Sequence, residues 1–191
     1  MRKPVPLLSL LFVCLFFLPF PAEESGEWVL RKEKNGIKVY TRKTLESKIK
    51  EVRMTFQTEA TLSNIISLLN DTEAYEDWIY RFKESTILEQ HDDKNSIYYG
   101  SVDFPWPLSD RDLVAKSETK QDPISRVVTI KTTAISGNVD EKDGMVRITD
   151  HNNTWRFEPL PNGMIDIEYE LQSDHGGSIP TLTINMALAQ G

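Results

Sequence analysis

The sequence predicts an α+β domain, a curved antiparallel sheet with helices on its concave face. Three observations predict it. Runs of alternating apolar and polar residues recur between residues 27 and 173, divided by turn residues. One stretch, Leu62, Ile65, Ile66 and Leu69, switches to helical spacing. A last run, from Ile179 through Leu188, follows the Gly176-Gly177 break and suits a final helix.

The first 22 residues read as a targeting segment. Arg2 and Lys3 make a short basic start, and Val5 to Phe20 is almost wholly apolar. That run is shorter than the roughly 20 residues a membrane span needs, which favours a secretory signal. Ala22 suits the residue before cleavage, but Phe20 is bulky where a small side chain is wanted. An N-terminal anchor left uncleaved is the alternative. Residues 23–191 are then expected to form one exported domain, periplasmic or secreted.

Within that domain, 27–42 reads as a hairpin turning at Asn35-Gly36. Lys50 to Thr58 alternates, with Val52, Met54 and Phe56 on one face. Thr61 suits the N-cap of the helix that follows, and a short helical piece includes Tyr75 and Trp78. Strands are expected at 80–90, 95–103, 109–121, 125–137, 144–150, 153–158 and 164–173. Asp122-Pro123, Asp143-Gly144 and Pro161-Asn162-Gly163 break them. In the last strand Ile165, Ile167, Tyr169 and Leu171 face a dry side, and Asp166, Glu168, Glu170 and Gln172 a wet one.

Composition narrows the function. Asp and Glu number 29 against 22 Lys and Arg, a net charge of −7; losing Arg2 and Lys3 with the segment, and no acid, takes it to −9. That balance argues against nucleic acid as a partner and against strong attraction to anionic membranes. It leaves a neutral ligand open. Cys14, the only cysteine, lies in the segment, so residues 23–191 hold neither a disulfide nor a thiol nucleophile. No phosphate loop, dinucleotide fingerprint or Gly-x-Ser-x-Gly elbow occurs. His91 reads as a solvated loop, His151 as part of a turn with Asn152-Asn153, and His175 as the residue before the glycine pair. None has a partner at metal-ligand spacing, so no metal and no cofactor is expected.

The stretch VDFPWPLSDRDLV, residues 102–114, carries the sharpest question. Ser109, Arg111, Leu113 and Ala115 share one strand face, and Asp110, Asp112, Val114 and Lys116 the other. The second face is charged and expected to be wet, which sends Arg111 to the inner, apolar face. An inward guanidinium is costly unless paired or hydrogen-bonded. Either it meets an inner carboxylate or backbone carbonyls near the Pro-rich turn, or it faces a cavity and meets an anionic or polar ligand group.

DFPWPLSDRDLV resembles the corresponding motif of START domains, the steroidogenic-acute-regulatory-protein-related lipid transfer family, and is most similar to the phosphatidylcholine-binding type. GEWVLRKEKNGIKVYTRK resembles that family's opening, and SDHGGSIPTLTINMAL its approach to the final helix. The resemblance covers about residues 26–191. It implies a helix-grip fold, a curved antiparallel sheet around a C-terminal helix with an internal hydrophobic tunnel. It implies that Arg111 contacts a lipid phosphate and that Asp112 faces outward or ties the strand to a neighbour. The rest of the wall, from strand parity, would be Leu113, Val128, Ile130, Trp155, Phe157 and Tyr169. The family's final helix is about twice as long as the run from Ile179 to Gly191, so a truncated or incomplete chain is expected, with a shortened lid.

The function expected is the binding, and transfer, of a single lipid or other hydrophobic small molecule, without catalysis. A monomer with transient membrane contact fits it. Two alternatives stay open: an envelope interaction or scaffold protein with a vestigial cavity, and a cyclase-like enzyme on the same fold. A scaffold would have a filled cavity, and an enzyme an acid or base placed within it.

Overall fold

The computed structural model of the protein describes residues 26–45, 47–177, 179–181 and 183–185. The expected targeting segment lies outside the described residues, as do Leu182 and residues 186–188 of the expected final helix.

Ten strands make one sheet among the described residues: β1 (Val29–Lys34), β2 (Ile37–Arg42), β3 (Glu51–Thr58), β4 (Phe82–Asp92), β5 (Asn95–Val102), β6 (Asp110–Gln121), β7 (Val128–Ala134), β8 (Met145–Arg147), β9 (Asp150–Pro159) and β10 (Ile165–Asp174). Their order is β1-β2-β3-β10-β9-β7-β6-β5-β4, with every neighbour antiparallel. Off this path, β8 runs parallel beside the start of β6. The pairing of β3 with β10 joins the opening hairpin to the end of the chain. Asn35 and Gly36 both have positive φ, 53° and 79°, as a two-residue hairpin turn with the right twist requires.

Helix α1 (Leu62–Asn70) crosses the inner face. Thr61 caps it by accepting a bond from the Asn64 backbone N–H at 3.2 Å, a contact that typically contributes about 1 kcal/mol. Its apolar stripe, Leu62, Ile65, Ile66 and Leu69, packs on Val128, Ile130, Phe157, Ile165 and Ile167. A 3-10 turn (Thr72–Ala74) leads into the short α2 (Tyr75–Trp78). The Tyr75 hydroxyl donates to the Leu69 carbonyl at 2.7 Å, and its ring makes edge contacts with Trp78, Phe82 and Tyr98. That aromatic corner roofs the half of the inner face that α1 leaves uncovered.

Two expectations need correction. The face of β6 carrying Asp112 and Val114 is not wet: Asp112 is 1 % exposed and Val114 fully buried. Ile97, Tyr99 and Val114 form a second, outer cluster beneath Leu88, Ile135 and Val139. Parity chose the face correctly but could not show that the segment after β7 folds back over it. The carboxylate is tied there to Arg147, whose Nε and Nη2 donate to its two oxygens at 2.8 and 3.0 Å. Nor does the chain break at 151–152, because β9 continues through them in register with β10, pairing His151 with Ser173.

Arg147 also donates to the carbonyls of Val139 and Asp140, so this ion pair holds the covering segment in place. Removing one partner of a buried pair leaves a charge uncompensated, at a cost of about 3–5 kcal/mol. Asp112→Ala is therefore expected to lower the urea midpoint by an amount equivalent to about 3 kcal/mol. The double change Asp112→Leu with Arg147→Met is expected to recover most of it. A single-variant loss below about 1 kcal/mol would show that the pair does not hold this segment.

Candidate functional site

The uncovered half of the inner face is a cavity of about 580 Å³. Its floor is the sheet: Met54 from β3, Tyr98 from β5, Leu113 from β6, Ile130 from β7, Trp155 from β9, and Tyr169 and Leu171 from β10. Its rim is the corner of Tyr75, Trp78, Ile79, Tyr80 and Phe82, with Phe104 from the loop between β5 and β6. Trp155 lies 4.3 Å from Tyr169, ring centre to ring centre. Burial pushes the phenols of Tyr98 and Tyr169 well up, so both stay neutral hydroxyls.

One end of the cavity is polar, where β9 and β10 meet the turn before the final helix. Asn153 Nδ2 donates to His151 Nε2 at 3.1 Å, and His151 Nδ1–H donates to Ser173 Oγ at 3.1 Å. Asn153 Oδ1 and His175 Nδ1 are buried without a hydrogen-bond partner among the described residues. Burial pushes the His151 imidazole down to about 4, with His175 adding to the effect. His175 is lowered by burial first and then by the Arg111 cation, while Asp174 opposes. Both rings are neutral at ordinary pH.

Arg111 is 2 % exposed and is not among the described lining residues. Its guanidinium donates to the backbone carbonyls of Ser109, His175 (3.3 Å) and Gly176 (3.4 Å), and lies 4.3 Å over the Phe104 ring. Burial lowers its pKa and Asp110 opposes, yet an arginine remains charged. The glycines make this contact possible. Gly177 has φ +69°, and a Cβ there would come within 3.2 Å of Arg111 Nη2. Beyond them Thr181 and Thr183–Asn185 are helical. Asn185 ties this helix start across the fold, accepting from Lys50 N at 2.8 Å and donating to the Lys48 carbonyl at 3.1 Å.

The chain matches the START domain family over residues 18–191. This chain belongs to the START domain family. It shares that membership with lipid-binding and lipid-transfer proteins, and its sheet is that of the helix-grip fold. It is 28% identical over 159 residues to an uncharacterized protein of Pseudomonas aeruginosa, covering 83% of this chain and 78% of the relative. It is 24% identical over 175 residues to the phosphatidylcholine transfer protein of Mus musculus, covering 90% and 81% of the two chains. Among solved structures, the STAR-related lipid transfer protein fragment from Xanthomonas axonopodis matches with a TM-score of 0.78 at 27% identity, over 85% of this chain and 90% of that one. Human StAR-related lipid transfer protein 5 shares the fold, with a TM-score of 0.68 at 19% identity, over 85% and 84%.

Of the residues chosen from the START resemblance and strand parity, Leu113, Ile130, Trp155 and Tyr169 line the cavity. Val128 and Phe157 face the same side but pack under α1 in the closed core. They pair with each other two residues along from the Ile130–Trp155 pair that reaches the cavity. The polar group of His151, Asn153, Ser173 and His175 was not anticipated. Its available signal was parity: His151 and Asn153 share the face of Trp155.

These histidines make stability depend on pH. Unfolded, His151 takes its proton near the ordinary 6.5; folded, only near 4. Between those values the unfolded chain binds the extra proton. Stability is thus full above pH 6.5 and falls as pH drops toward 4, by at most about 3 kcal/mol from this group. Urea titrations at pH 7 and pH 4.5 are expected to show the loss, and His151→Gln to reduce it. An equal pH dependence in the variant would place the titrating group elsewhere.

Proposed function

We propose that this protein binds one lipid or other hydrophobic molecule in the cavity and carries it without chemical change. The observation that carries the reading is a preformed hollow of about 580 Å³ with mostly aromatic and aliphatic walls. That volume is in the roughly 300–1,000 Å³ range of small-molecule sites. Apolar burial would supply most of the affinity, at about 25 cal/mol per Å² before ordering costs. A relative whose name states a role, the phosphatidylcholine transfer protein, is a carrier rather than a catalyst. The open cavity favours a binder over a scaffold.

Leu113, Ile130, Trp155 and Tyr169 serve as wall, and Arg111 acts by locking the turn that starts the final helix. Uptake and release proceed by movement of that helix or of the Ile79–Tyr80 rim. The protein works as an exported monomer in transient contact with membranes. The basic and apolar pattern of residues 1–22 supports export, and Tyr80 and Trp106, 84% and 92% exposed, support the contact.

Native mass spectrometry of the full chain, followed by organic extraction, tests this. One lipid per chain is expected to copurify. Leu171→Trp, which puts an indole into the hollow, is expected to reduce occupancy at least about tenfold while the far-ultraviolet circular dichroism is retained. A folded wild-type protein still empty after exposure to a mixed lipid extract would contradict the proposal.

A further inference from the structure

The net charge of −7 conceals a division along the chain. Residues 26–53 hold nine Lys and Arg against four Glu, a balance of +5. Residues 54–191 hold 11 Lys and Arg against 23 Asp and Glu, a balance of −12. The positive stretch comprises β1, β2 and the start of β3, at one edge of the sheet. Arg42 and Arg53 are spent on ion pairs with Glu51, Glu168 and Glu170. Arg31, Lys32, Lys34, Lys38, Lys43 and Lys48 are exposed.

Aliphatic side chains are exposed among these cations. Val29, Leu30, Ile37 and Leu45 are 41% to 56% exposed, and every residue of β1 is exposed. At the base of the hairpin, Val29, Arg31, Arg42, Lys43 and Lys50 line a groove of about 380 Å³, with Glu27 the one acid among its described lining residues. Thr41, also in its wall, is fully buried, and its hydroxyl accepts from Arg31 Nε at 2.9 Å, which holds that guanidinium at the groove. Next to it in the chain, Lys48 and Ile49 border the Gly176–Gly177 turn. The same turn receives Arg111, whose guanidinium lies over Phe104 in the loop that carries Trp106. Cations and an exposed tryptophan thus flank one turn.

Resting on the membrane contact proposed above, we infer that the β1–β2 hairpin is a docking surface for an anionic lipid bilayer, with a lipid phosphate seated in the groove between Arg31, Lys43 and Lys50. Each Lys or Arg brought to an anionic leaflet contributes about a fivefold gain in affinity. A guanidinium presents a planar fork of donors to phosphate oxygens. A bilayer matches both halves of the surface, headgroups for the cations and the acyl boundary for Val29, Leu30, Ile37 and Leu45. The acidic remainder is repelled by the same leaflet, so the charge division turns the hairpin toward it. The apolar run Val5 to Phe20 ends a few residues before the hairpin. Connectivity keeps a bilayer that holds that run within reach of these cations.

The test measures flotation of the full chain with vesicles of phosphatidylcholine alone, or of phosphatidylcholine with about one third phosphatidylglycerol. Binding to the anionic vesicles is expected to be at least about tenfold tighter at low salt, and to approach the neutral value in about 0.5 M sodium chloride. The double change Lys43→Glu with Lys50→Glu is expected to bring the anionic-to-neutral ratio near one. Lys120→Glu with Lys131→Glu makes the same change of net charge at exposed sites on β6 and β7. It is expected to keep the ratio within about threefold of the wild type. The comparison of the two vesicles on the wild-type protein needs no variant to fold. Equal wild-type binding to both overturns the inference, leaves the membrane contact and the carrier reading standing, and makes an acidic protein the partner to seek for the hairpin. Equal losses in the two double variants overturn it too, since the attraction then follows net charge and not the hairpin. Binding to neither vesicle overturns the inference and the membrane contact together.

Discussion

The buried guanidinium of Arg111 is the constraint around which the rest of this structure is arranged. A charge 2 % exposed must be satisfied by neighbours, and here the neighbours are backbone carbonyls of Ser109, His175 and Gly176. Those contacts stitch the start of β6 to the turn that launches the final helix. The next residue, Asp112, points to the opposite face and holds Arg147, and through it the segment that covers the outer cluster. Two adjacent residues of one strand thus fasten a structural layer to each face of the sheet. Both charges are satisfied by geometry that only the folded chain supplies, carbonyls for Arg111 and a guanidinium for Asp112.

The inner face is divided between packing and vacancy. Under α1 the side chains of β7, β9 and β10 meet Leu62, Ile65, Ile66 and Leu69 and close into core. Along the same strands, a few residues on, the wall continues with Trp155, Tyr169 and Leu171, but no described helix fills the space above them. Large rings from α2 and its following loop bridge the gap instead. Membership of the START family, with its lipid-binding and transfer proteins, matches a fold that stays hollow by construction. The hollow's polar end carries His151, Asn153, Ser173 and His175.

Most of the scaffold was legible from alternation. On β3 and β10 the inner apolar residues alternate with Arg53, Glu168 and Glu170, which pair across the outer face. Thr61 and the spacing of α1 were equally plain. The covered outer face of β6 was not, because parity assigns a face without saying what lies on it. The covering segment is rich in Ser, Gly, Asn and Asp and reads as solvent loop. His151 and Asn153 were hidden for a related reason. Polar residues on an inner face look like a turn until the continuous register with Ser173 and Leu171 is seen. The ties of Asn185 to Lys48 and Lys50 are separated by more than a hundred residues and leave no local trace. The Arg111 motif was legible as inward-pointing; only the fold shows that the carbonyls of a distant turn receive it.

The central claim is that a single hydrophobic molecule lies against the wall built by β9 and β10. Trp155 stands in that wall, whereas Trp106 is 92% exposed on the outside. Titration with lipid brominated in its acyl chains, reading tryptophan fluorescence, tests the claim most directly. The account predicts quenching that saturates at one lipid per chain and is largely lost when Trp155→Phe is combined with Trp78→Phe, because Trp78 stands in the rim of the same cavity. Quenching that rises without saturation, unchanged in Trp155→Phe and removed in Trp106→Phe, would mean that lipid meets only the outer surface, and would contradict it.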